Sequence, residues 1–159
     1  MTFGLFVSLI TGALGLLISI FFAFLIILSS NTFKYGTFRF FNEMMVLGFS
    51  ILGWVYIKPK GFIFVFFLVL SVLNHLYRIV REVYSVDNRF RTLVLALGHD
   101  RFEYALFSLR RVRKRMFATF FKYSVIVFAA FSISQSLHPE EIGVISLIVG
   151  SLLIVLGID

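Results

Sequence analysis

Cysteine is absent from all 159 residues. That removes disulfides, thiolate metal ligands and a cysteine nucleophile from the chemistry this chain can do by itself. Charge is scarce: Asp, Glu, Lys and Arg make up 14%, against about 25% in an ordinary soluble domain. Residues 2–33 carry none. Proline occurs twice and tryptophan once. No Gly-rich phosphate loop, HExxH, GxSxG or Asp-rich lipid-transferase pattern occurs, so no catalytic role is assigned and no cofactor is expected.

Hydrophobic residues fill the space, at 60% of the chain, including 22 Phe. Their runs are continuous, without the alternation of an outer-membrane strand. The expected fold is an all-α integral membrane protein of one domain, residues 1–159, built as a bundle of about five transmembrane helices. A crossing needs about 20 apolar residues. Charges divide the chain into spans at approximately 3–29, 41–57, 61–78, 116–137 and 142–158. The first has no basic n-region, and its apolar stretch from Phe3 to Leu28 exceeds the roughly 7–15 residues of a signal-peptide core, so it reads as a retained span. The second is the weakest, because Met44–Ile57 supplies only 14 uncharged residues. A re-entrant hairpin, in which it and the third span return to the same face, is the alternative.

Ten of the fifteen Lys and Arg lie between Arg78 and Arg115. Positive charge is retained on the cytoplasmic side, so residues 79–115 and the C-terminus are expected inside, and the N-terminus outside. A bacterial inner membrane is the expected location, with an organellar inner membrane as the alternative. This clustering between spans also accounts for the net charge of +7 without nucleic acid.

Within that segment Phe102, Ala105, Leu106, Leu109, Val112 and Met116 recur at helical spacing. Gly98-His99-Asp100 breaks the pattern, with Asp100 a candidate N-cap. The expectation is a basic amphipathic helix in the membrane interface, its stripe toward lipid. Arg101, Arg110, Arg111, Arg113, Lys114 and Arg115 would then meet anionic lipids or an acidic partner.

Two spans carry small residues at helical spacing: Gly4, Ser8, Gly12, Gly15 and Ser19 in the first, and Gly143, Ser146, Gly150 and Gly157 in the last. Small faces let helices approach closely in lipid. They are candidate packing surfaces, within the chain or against another subunit. The intramembrane polar residues are Glu43, Asn74, His75 and Lys122. His75 is the sole histidine inside an apolar run and a weak candidate cofactor ligand. A bis-histidine haem would need a second ligand from elsewhere, and no metal site is expected. Asn74 and His75 are expected near the cytoplasmic headgroups, with Glu43–Lys122 and Glu43–His75 as candidate pairs.

These features suggest a non-catalytic accessory subunit of a membrane assembly (secretion, conjugation, respiratory or transport), with other membrane subunits as partners. The alternatives are a small homo-oligomeric channel or carrier, and a membrane enzyme or haem-binding subunit using His75.

Overall fold

The computed structural model describes residues 1–29, 42–85, 93, 96–98 and 100–157. Arg89, Arg91 and His99 of the basic segment lie outside these residues. So do the start of the second span before Asn42 and the end of the last beyond Gly157.

Among the described residues the chain is helical throughout: α1 (Thr2–Ser29), α2 (Glu43–Tyr56), α3 (Lys60–Tyr84), α4 (Arg101–Ile133) and α5 (Pro139–Val155). Three of these, α1, α3 and α4, are long and apolar enough to cross a membrane. α2 has 14 residues and α5 has 17, about 21 and 25 Å at 1.5 Å per residue.

Local chemistry sets the ends. Asn42 caps α2, its side chain accepting the Met45 N–H at 2.9 Å. Pro59 and Pro139 stand at the entrances of α3 and α5, where a missing N–H leaves no helical bond unmade. Asp100 starts α4 with a capping box: its carboxylate accepts the Glu103 N–H at 2.7 Å, and Glu103 reaches back to the Asp100 N–H at 3.4 Å.

Successive helices alternate in direction. Phe3 at the start of α1 meets Trp54 near the end of α2 and lies beneath the Lys60 ammonium at the start of α3. Gly4 faces Phe131 near the end of α4. Together with the α5 entrance, these define one end of the bundle. At the level of the other end, Glu43, Arg78 and Lys122 come together. The 18 residues from Lys60 to Arg78 span about 27 Å of helix. Across this height the five helices carry no Asp, Glu, Lys or Arg, forming an apolar slab. α2, with Ile57–Pro59, covers the same height as that stretch of α3.

The slab core centres on Val7, Val46, Phe67, Tyr123 and Val127. α1, α3 and α4 continue past Arg78 and build a second core from Ala23, Ile27, Ile79, Val83, Ala105 and Val112. The last turns of α1 join this three-helix extension. One expected boundary is corrected. The basic amphipathic segment and the fourth span are one helix of 33 residues, about 50 Å long, ending at Ile133 rather than near residue 137.

Candidate functional site

The α1 small-residue face is used inside this chain. Gly4, Ser8, Gly12, Gly15 and Ser19 are all buried. A Cβ on Gly4 would meet the Phe131 ring, one on Gly12 would lie 2.8 Å from the Ser124 hydroxyl, and one on Gly15 would overlap Ser71. Ser19 donates to the Gly15 carbonyl at 2.6 Å, with the Val72 carbonyl of α3 also in reach at 2.9 Å. The glycines thus bring α1 against α4 and α3 at backbone range, where dispersion contacts accumulate.

α5 uses Gly143, Ser146 and Gly150 in the same way, mainly against α2. Gly143 packs on Ile51 and Leu52, and the Gly150 carbonyl accepts the Asn42 side-chain amide at 2.8 Å. Gly157 does not belong to this stripe. It follows the helix with φ +71° and is exposed, a left-handed position that glycine occupies without strain. Gly48 and Gly53 of α2 complete the close-packed seams. A stripe search misses them because they lie five residues apart.

Asn74 and His75 are buried within the bundle, at 4% and 0% exposure, about one helical turn from the level of Arg78. His75 sits between α1 and α4, with the Gly12 carbonyl beside it and the Tyr123 ring centred 5.4 Å away. Neither of its ring nitrogens has a hydrogen-bond partner among the described residues, nor does the Ser71 hydroxyl. Tyr123, unremarkable in the sequence, is 1% exposed and donates its phenol to the Phe67 carbonyl at 2.7 Å. Its position between a histidine and two hydroxyl-bearing helices depends on three separate elements, so no local signal marks it. Trp54 similarly donates its indole N–H to the Val127 carbonyl at 3.2 Å.

Glu43 joins three helices. Its carboxylate pairs with Lys122 of α4 and, at 2.8 Å, with Arg78 of α3. The Glu43–His75 pairing is replaced by the Arg78 contact, because His75 turns into the core one helical turn below. Among the described residues no group of three or more His, Asp or Glu side chains is placed to hold a metal. His138 lies at the opposite end, 3.8 Å from Glu141.

The cations of α4 take the outer face. Arg101, Arg110, Arg111, Arg113, Lys114 and Arg115 are exposed, while Ala105, Leu109, Val112 and Met116 are buried against α1 and α3. The apolar stripe is therefore satisfied within the protein rather than by lying flat on lipid. Phe102 and Leu106 stay exposed, with Phe102 edge-on to Phe24. Arg115 also pairs with Glu82. Among the described residues, nine cations face four carboxylates at the Arg78 end, against two and two at the Lys60 end. No family model, curated protein or solved structure matches this chain.

Proposed function

We propose that this chain is an integral membrane protein and a non-catalytic subunit of a larger membrane assembly, with the arginine end in the cytoplasm. Three helices long and apolar enough to cross support the membrane reading. So does the slab height, about 27 Å by helix rise, close to the roughly 30 Å of bilayer hydrocarbon. Large apolar side chains such as Phe6, Leu17, Phe62, Phe121 and Ile145 point outward along the slab, where a soluble protein avoids wide apolar surface. Charge asymmetry between the two ends supports the orientation, since cations accumulate on the inner side. With α2 and α5 included, five crossings put the N-terminus outside and the C-terminus inside.

Arg110, Arg113 and Lys114 carry the subunit reading. α4 holds them outward on a helix anchored by its own buried stripe, so the charged face stays presented without the lipid surface to support it. A rigid cationic row of this kind complements an acidic cytosolic surface, which it would steer and orient.

The chain has no cysteine, so a single Lys114→Cys or His138→Cys substitution reports topology cleanly. An impermeant maleimide should label His138→Cys in intact cells and Lys114→Cys only after permeabilisation; the reverse pattern overturns the orientation. In mild detergent the protein should travel with unlike subunits, and Arg110, Arg113 and Lys114 changed together to Gln should release the cytosolic one. A lone monomer, or an assembly indifferent to those changes, overturns the subunit reading. A defined homo-oligomer that passes ions in liposomes establishes the channel alternative.

His75 favours a second reading, a cofactor-binding subunit, because its buried ring nitrogens lack partners. A partner chain would have to supply the second ligand. A haem absorbance band in the purified assembly that is lost on His75→Ala would establish it; no band in the intact assembly removes it.

A further inference from the structure

Past the slab edge, α3 and α4 leave two adjoining cavities of about 170 and 200 Å³ that share Glu82, Val112 and Arg115. Arg78 and Arg81 line the first from α3, and Thr119 closes it from α4. Arg111 lines the second. Four arginines from two helices thus surround one space, with Glu82 the one carboxylate lining it among the described residues. Ile79 and Met116 give the first cavity an apolar wall.

We propose that this cleft binds the phosphate of an anionic phospholipid headgroup. Taken singly, each cavity is smaller than the roughly 300–1,000 Å³ that drug-sized organic ligands fill and is of a size for a phosphodiester. Arginine guanidinium groups offer paired, planar N–H donors that match phosphate oxygens two at a time. The four cations lining the cleft, Arg78, Arg81, Arg111 and Arg115, are all of this type, while Lys114 lines neither cavity. Depth decides in favour of a lipid over a soluble anion. The cleft begins at Arg78, level with the Glu43–Lys122 pair that bounds the charge-free slab. A headgroup phosphate is found at that level, with its acyl chains continuing beside the apolar helices. Basic pockets between spans on the cytoplasmic side suit such headgroups. The assignment rests on the membrane reading above but not on the subunit reading.

The test reconstitutes the full chain into vesicles of equal parts phosphatidylglycerol and phosphatidylcholine, re-extracts it in mild detergent and measures the lipid that stays bound. Phosphatidylglycerol should be enriched severalfold. Arg81→Gln with Arg115→Gln should abolish most of that enrichment. Arg113→Gln with Lys114→Gln removes the same charge from the outer face and should leave at least half. Arg81→Gln alone, with helicity and elution volume unchanged, should lower the enrichment if the double variant does not fold. No enrichment in the wild type, or equal losses from both pairs, overturns the proposal. Displacement of the lipid by millimolar inorganic phosphate reassigns the cleft to free anions and overturns it too. Release of the chain from native membranes by alkaline carbonate is a separate failure, that of the membrane reading itself.

Discussion

Gly15 of α1 lies so close to Ser71 of α3 that a Cβ on the glycine would overlap the serine side chain. The two helices run parallel here at the distance their backbones permit. Both residues are buried, and the overlap reaches the Ser71 backbone carbonyl carbon at 3.2 Å, so rotating one hydroxyl does not make room. Gly15→Leu should separate α1 from α3 and cost more than the roughly 1–3 kcal/mol typical of overpacking. Thermal unfolding in detergent reads this as a fall in midpoint of many degrees. Gly157→Ala should cost about 1 kcal/mol from its left-handed backbone alone; equal shifts for the two would refute the distinction between seam and cap.

Glu43 holds Arg78 and Lys122 together, and Glu43→Gln leaves two neighbouring cations facing each other. All three side chains are partly exposed, and pairs of that kind contribute about 0–1 kcal/mol. The expected effect is a modest fall in melting temperature that shrinks at high salt. Lys122→Gln added to Glu43→Gln should recover part of the loss, because it removes the repulsion. A fall as large as that of Gly15→Leu would contradict the exposed placement of this triad.

His75 and Tyr123 should respond oppositely when their polar atoms are removed. Tyr123→Phe deletes a buried hydrogen bond to the Phe67 carbonyl and should destabilise by about 0.5–1.5 kcal/mol. His75→Leu deletes two ring nitrogens that have no partner among the described residues. Removing buried unpaired polar groups is neutral or favourable, so its melting temperature should hold or rise. A clear fall would mean that the ring nitrogens are engaged in the working protein, and would strengthen the cofactor reading.

The register of α2 on α5 places the Ser151 hydroxyl 3.7 Å from the Met45 sulfur. With no native cysteine to compete, Met45→Cys with Ser151→Cys should form a disulfide on mild oxidation. Gel mobility after proteolysis between the two helices reads the outcome. Met45→Cys paired with Ile145→Cys, about 9 Å further along α5 by helix rise, should not cross-link. Cross-linking of the second pair in place of the first would shift the helices by more than a turn.

Much of the helix inventory was legible because each charge interrupts an apolar run, and Asp100 three residues before Glu103 spells a cap on its own. The spacing of Gly4, Ser8, Gly12, Gly15 and Ser19 likewise marks one face without any knowledge of its neighbour. Tyr123, Trp54 and Gly48 were not legible. Their significance comes from Phe67, Val127 and Leu147, and nothing local in the sequence connects such distant positions.

By itself the sequence determined composition-level matters: helices rather than strands, no thiol chemistry, and a concentration of cations between Arg78 and Arg115. These follow from residue type and spacing along one element. Tertiary structure alone decided what the small faces touch, that His75 points into the core, and that the stripe through Leu109 and Val112 packs on α1 and α3. Partner choice depends on which helices lie side by side. That is set by the fit of glycine seams and by a second apolar core past Arg78, neither of which is encoded in any single helix.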